Sequence, residues 1–189
     1  MIVFGAYVRL TDAGLGCPDW PGCYGFITVP DTAEELSAIE ESFPGQVVEP
    51  GKAWREMIHR YIASLLGLFI LTLFASEVFK KNKTVFSDNF PLKVSSLLLL
   101  LVVFQGLLGM WTVTLKVHPF VVLAHLVGGL STLSLLFVYL KKISSPAKST
   151  ANFTGLLFCG LMLLIAQIML GGWTSTNYAA LGCPDLPLC

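Results

Sequence analysis

Four long apolar runs, separated by short polar connections, dominate the pattern of this chain: residues 58–78, 94–115, 119–140 and 153–173. Each exceeds the roughly 18 largely uncharged residues that an α-helix needs to cross the hydrocarbon core of a bilayer. The pattern therefore predicts four membrane-spanning helices. The opening octet MIVFGAYV, residues 1–8, is also apolar, but at the rise of an α-helix it covers only about 12 Å, against a hydrocarbon core of about 30 Å. It reads as the outer stub of a helix whose beginning is missing. The competing reading, a secretory signal, lacks the basic leader and small-residue cleavage site such segments carry.

Between the stub and the first full run lies a polar stretch, 11–57, expected to be an external loop. Most of it reads as irregular, but TAEEL offers Thr32 as an N-cap with Glu35 three residues on, the pattern of a reciprocal capping box. The segment PGQVVEPGK then turns the chain back to the membrane. Trp54, Trp111 and Trp173 fall near one boundary of the runs, as expected of an interfacial belt. Composition strengthens this picture: 54% of the 189 residues are hydrophobic and only 13% charged, which excludes an ordinary soluble domain. The 12 basic and 12 acidic residues cancel, so no nucleic-acid partner is expected. The partner that the apolar runs imply is the lipid bilayer. Lys80, Lys81, Lys83 and Lys93 flank one connection, and Lys141, Lys142 and Lys148 lie in another. By the positive-inside rule both connections are cytoplasmic, which places segment 11–57 and the tail after Trp173 outside.

Two stretches outside the runs resemble each other. Shifted by 166 positions, GAYVRLTDAGLGCPDWPGC (5–23) and GGWTSTNYAALGCPDLPLC (171–189) agree at nine of nineteen places, including Cys17/Cys183, Asp19/Asp185 and Cys23/Cys189. This is an internal repeat, with each copy at the outer end of a membrane helix. It divides the chain into a first four-helix unit, 1–142, and the start of a second, 153–189. In an oxidising compartment, cysteines this close are expected to pair as Cys17–Cys23 and Cys183–Cys189, and the prolines between them favour the required reversal. A redox-active pair is the alternative. Cys159, inside the last run, reads as a small apolar filler.

Intramembrane ionisable groups mark function by default. REMIHRY places Glu56 and His59 on one helix face, with Arg60 beside them, and His125 lies in LAHLVGG on another helix entering from the same side. Two imidazoles facing across a bundle suit the axial positions of haem iron. Arg60 could meet a propionate in two-pronged fashion. Structural histidines bonded to neighbouring helices are the alternative. A carboxylate-bridged di-iron site would need further inward glutamates. Glu56 also reads as a helix-start carboxylate at the positive end of the dipole, and His118 as a solvated turn residue.

GAYVRLTDAGLGCPDWPGC, PGKAWREMIHRYIASLLGL, QGLLGMWTVTLKVHPFVVLAHLVGG and QIMLGGWTSTNYAALGCPDLPLC closely resemble the bacterial haem A synthase family over essentially the whole chain. The resemblance implies an all-α integral membrane protein of the bacterial cell membrane with two pseudo-symmetric four-helix halves. This chain would hold the first half and the opening helix of the second. It implies an oxidoreductase that converts a methyl group of haem O to the formyl group of haem A for terminal oxidases. His59 and His125 match the histidine pair for the substrate haem, Glu56 a glutamate implicated in the oxidation, Cys17/Cys23 an external pair implicated in activity or haem transfer, and Cys183/Cys189 a structural pair. The histidine pair that holds haem b in the second half has no counterpart, so the chain is expected to be a fragment inactive alone. Haem O, haem O synthase and oxidase assembly factors are the implied partners, with an oligomer left open. A bis-histidine b-type cytochrome that relays electrons and a non-catalytic oxidase-assembly factor are the alternatives.

Overall fold

The computed structural model describes residues 1–83, 89–144, 154–179 and 182. It is helical: α1 (Ile2–Leu10), α2 (Ala33–Ser42), α3 (Pro50–Lys83), α4 (Phe90–Thr114), α5 (Pro119–Ser144) and α6 (Thr154–Thr176). The sole β feature among the described residues is an isolated bridge between Cys23 and Phe26. Helices α3 to α6 are each long and apolar enough to cross a membrane. This is the architecture of a multi-pass membrane protein. No more than 17% of any span is buried within the protein, because in lipid an apolar side chain loses nothing by facing outward.

Helix boundaries follow local chemistry. Pro50 and Pro119 open α3 and α5, where a missing N–H costs nothing and the fixed φ suits the first turn. Against the expected bounds, α1 runs two residues past the stub at 1–8, and α4, α5 and α6 differ from 94–115, 119–140 and 153–173 only near their ends. The large difference is α3, which begins at Pro50 rather than 58 and takes the polar stretch PGKAWREM into the helix. Glu56 consequently lies in the second turn and not at the helix start, so the dipole no longer accounts for its position.

The chain forms two compact units, Met1–Val117 and His118–Cys189. Within the first, α3 packs against both α1 and α4. Within the second, α5 packs against α6, where Trp173 meets the ring of Phe120 edge-on at 5.0 Å.

Three helices end alike. The C-terminus of α1 is closed by Asp12 N–H to Arg9 O (3.1 Å) and Ala13 N–H to Val8 O (2.9 Å). That of α4 is closed by Lys116 N–H to Val113 O (2.9 Å) and Val117 N–H to Thr112 O (2.7 Å). Both are the paired bonds of a Schellman ending. At α6, Tyr178 N–H reaches Ser175 O at 3.2 Å. The residue in the left-handed position is Asp12, Lys116 or Tyr178, with φ of 49°, 48° and 54°, where glycine would be the unstrained choice. The repeat of 166 positions is visible here in the backbone. Thr11 N–H bonds Tyr7 O as Asn177 N–H bonds Trp173 O, and Gly16 N–H bonds Ala13 O as Gly182 N–H bonds Ala179 O. Cys183 and Cys189 themselves lie outside the described residues.

The short loop helix α2 carries the expected capping box. Glu35 N–H donates to Thr32 Oγ1, and Glu35 Oε2 accepts from the N–H groups of Thr32 and Asp31. These bonds, the one from Thr32 N–H foremost, hold the Glu35 carboxyl below its ordinary value of 4.5. A lowered carboxyl stabilises the fold above its unfolded pKa, and the effect is lost as pH falls through the folded value. Amide exchange protection across the first turn of α2 should therefore be level above the ordinary carboxylate range and decline below it, and Glu35→Gln should remove the decline.

Candidate functional site

Residues Ala53, Glu56, Met57, Arg60 and Tyr61 recur at the spacing of one helical face, and on α3 that face carries the whole loop that comes after α1. Ala53 and Met57 are buried with Cys17, Cys23, Tyr24, Val29 and Ile39 in one cluster. This is an apolar core outside the long runs, built from the loop and the first turns of α3. Gly16 makes the approach possible, since a Cβ there would lie 2.6 Å from the Lys52 carbonyl carbon and 2.7 Å from Ala53 N. Tyr61 Oη donates to Ile27 O at 2.7 Å and secures the far side.

Cys17 and Cys23 form a disulfide, with Cα atoms 4.8 Å apart, as their spacing predicts. Immediately after it the chain reverses at Tyr24 and Gly25, both at positive φ (54° and 84°), between the mutual hydrogen bonds of Cys23 and Phe26. This is the tight hairpin turn that favours glycine at its second place. Asp19 holds it, its carboxylate accepting from Tyr24 N–H at 2.6 Å and Gly25 N–H at 2.7 Å. The Asp of Cys-Pro-Asp-x-Pro thus braces the turn beyond the cysteine ring, a role its spacing alone did not disclose. Tyr24 packs edge-on against Phe43. Burial, and then the charges of Glu49, Asp19 and Glu56, raise its hydroxyl above the ordinary value of 10.0.

Glu56 is 4% exposed, and both of its oxygens are engaged. Oε2 accepts from Cys17 N–H at 2.9 Å, and Oε1 accepts from Arg60 Nη2 at 2.5 Å. The other guanidinium nitrogen, Nη1, donates to Pro21 O at 3.2 Å and to Gly22 O. Arg60, a candidate propionate partner by sequence, spends these donors on the carboxylate and the cysteine ring. The structure therefore brings Glu56, Arg60, Cys17 and Cys23 together.

His59 is held from a different side. Its ring stacks on Phe4 of α1, centroids 5.9 Å apart and planes within 7°, and lies over Gly5, where a Cβ would come within 3.2 Å of its Cε1. His125 is half-buried on α5 in the second unit. His118 is exposed, as expected of a turn residue, and stacks on Phe120. Cys159 is exposed on α6. Among the described residues no three or more His, Cys, Asp or Glu side chains converge as a bare metal ion would require. Haem iron makes a smaller demand, because the macrocycle supplies its equatorial nitrogens and the protein only axial imidazoles. The half-buried His59, on an apolar wall and with its ring fixed by Phe4 and Gly5, fits that role.

A disulfide-closed loop seated on a membrane helix that carries Glu, His and Arg within two turns defines a multi-pass membrane protein with a buried polar site at one end. Residues 1–189 match the family model described as cytochrome oxidase assembly protein (COX15-CtaA). The chain is 52% identical over its whole length to a protein of Shewanella oneidensis named heme A synthase, of which it spans 57%. It is 28% identical, again over its whole length, to one of the same name from Halalkalibacterium halodurans, of which it spans 59%. No solved structure matches it. The chain belongs to the cytochrome oxidase assembly protein family, and it covers somewhat over half the length of these relatives.

Replacing Gly16 with alanine drives a methyl group into the α3 backbone at 2.6 Å. Overpacking of this kind typically costs about 1–3 kcal/mol. Gly16→Ala should lower the thermal midpoint and expose Tyr24 and the loop to limited proteolysis, while Gly14→Ala, with open space around its Cβ, should do neither.

Proposed function

We propose that this chain provides the haem-substrate half of a haem A synthase, oxidising a methyl substituent of haem O to the formyl group of haem A for terminal oxidases. The observation that carries the reading is the buried Glu56 carboxylate, fixed between Arg60 and the Cys17 amide one helical turn from His59, in a chain 52% identical throughout to a heme A synthase. His59 and His125 would be the axial ligands of the haem in this half. Haem iron, when bound there, supplies the redox chemistry.

The chain's own residues have three tasks. Phe4 and Gly5 hold the His59 ring in place on α3, where it would hold the haem. Glu56 places negative charge in a water-poor site where oxidation of a methyl carbon builds positive charge, and such preorganised charge is worth far more there than in water. Arg60 keeps that carboxylate aimed, and adds the cationic group that a propionate would meet. In this reading 1–142 is one four-helix unit and 153–189 begins another, with both cysteine loops on the periplasmic face. Haem b belongs to the second half of such proteins, so turnover by these 189 residues alone is not expected. Haem O synthase and oxidase assembly factors are the natural partners.

Acid-acetone extraction of the membrane-inserted chain, with mass measurement of the pigment, tests the reading. Haem O or its oxidised products support it. Haem b alone indicates an electron relay, and no pigment a non-catalytic assembly factor. When the remaining length of a heme A synthase is supplied, Glu56→Ala should leave haem O bound but lower its conversion by about two to three orders of magnitude, the usual cost of removing one preorganised electrostatic group. Full conversion by that variant would remove Glu56 from the reaction.

A further inference from the structure

We propose that Arg60 and the closed Cys17–Cys23 ring together position Glu56, so that closure of the disulfide and orientation of the carboxylate are one linked equilibrium. The functional meaning of the linkage rests on Glu56 acting at the haem site, but the linkage itself does not.

The geometry is that of a two-ended clamp. The amino end of the ring reaches the ion pair through Cys17 N–H on Glu56 Oε2 at 2.9 Å. Its carboxyl end reaches the same pair through Arg60 Nη1 on the carbonyls of Pro21 and Gly22. Glu56 and Arg60 are joined to each other, with side chains only 6% and 12% exposed. One ion pair can hold both ends only if they stay adjacent, and the disulfide keeps the Cα atoms of Cys17 and Cys23 4.8 Å apart. Gly22 has no room to give, since a Cβ there would meet Phe26 O at 2.2 Å. Glu56 is thus a carboxylate whose donors come half from its own helix and half from a covalently closed ring.

Reduction by a dithiol breaks the S–S bond. The dithiol's two electrons and two protons leave Cys17 and Cys23 as thiols, and the dithiol becomes the cyclic disulfide. With the ring open, its two ends separate, and Glu56 and Arg60 lose fixed partners that they can recover only one end at a time. Linkage is reciprocal. If the closed ring holds the ion pair, the ion pair favours the closed ring, and removing either partner makes the disulfide easier to reduce. Arg60 is in this sense a positioning residue, acting on the site through Glu56.

The test is a redox titration of the full chain in membrane vesicles against graded reduced and oxidised dithiothreitol. Cys17 and Cys23 are followed individually by thiol labelling and peptide mass spectrometry, which keeps Cys159, Cys183 and Cys189 out of the signal. Arg60→Ala and Glu56→Ala should each favour reduction by about tenfold, the order expected from losing one hydrogen bond to a charged group, which for a two-electron couple is a rise of about 30 mV. Arg60→Lys, which keeps the charge but not the two-pronged geometry, should fall between. Lys52→Ala, which removes only surface ion pairs with Asp12 and Glu49, should titrate like the parent. In the parent chain the infrared difference between oxidised and reduced states should contain a carboxylate stretch that Glu56→Gln abolishes.

Parent-like midpoints in membrane-inserted Arg60→Ala and Glu56→Ala would overturn the proposal. So would an equal shift in Lys52→Ala, or a difference spectrum unchanged by Glu56→Gln. Shifted midpoints in a chain that binds no haem would leave the linkage standing and the haem reading fallen, while haem O bound with unshifted midpoints would mean the reverse.

Discussion

A carboxylate and a guanidinium buried side by side control the arrangement of this protein's first unit. Withdrawing charges from water costs several kcal/mol per ion even after relaxation, and their mutual attraction offsets it only when the remaining donors and acceptors are also met. On α3 alone, Glu56 would have one partner and Arg60 would have amino groups with nowhere to bond. The cysteine ring meets these needs, with an amide for the carboxylate and two carbonyls for the guanidinium. The position of the loop is a consequence. Gly16 lets the backbone approach α3, the disulfide keeps the ring small enough to reach both charges, and Asp19 turns the chain away immediately afterwards. The apolar cluster of Met57, Ala53, Tyr24 and Ile39 packs the same loop against α3.

The rest of the protein obeys a different solvent. Helices α3 to α6 leave most of their apolar surface unburied within the protein, which in water would be untenable and in lipid is neutral. Their backbone groups are satisfied internally, as the hydrocarbon region demands, and specific turns close their ends. There the same closing turn recurs on α1, α4 and α6 with three different residues in a left-handed conformation. Local strain of this kind, at roughly 1–2 kcal/mol for each residue, persists where the next segment enforces a sharp exit from the helix. For α1 that segment is the ring that must reach Glu56.

The spans were legible in the sequence because hydrocarbon thickness is a one-dimensional constraint: an apolar run either reaches across or does not. The capping box of Thr32 and Glu35 was legible because its atoms lie three residues apart. Pairing of Cys17 with Cys23 was legible because only five residues intervene, and the internal repeat because identities at one offset need no fold to be counted. The beginning of α3 was not legible. PGKAWREM is as polar as a loop, and it is helical because its buried face meets Cys17, Val29 and Ile39, residues far away along the chain. The long-range partners of Arg60 were not legible for the same reason. Its fork suits a carboxylate, but only the folded chain brings Pro21 O and Gly22 O within its reach.

Sequence by itself thus determined that the chain is a multi-pass helical membrane protein, where its helices lie, which cysteines close the first ring and which residues could carry chemistry. Tertiary structure alone decided how those residues are combined. The ring sits on the ion pair, the ion pair occupies the second and third turns of a helix longer than its apolar run, and His59 is set by Phe4 and Gly5. The physical reason is range. Hydrophobic thickness, capping and short disulfides act between neighbours along the chain, whereas satisfying a buried charge requires partners that only folding brings together.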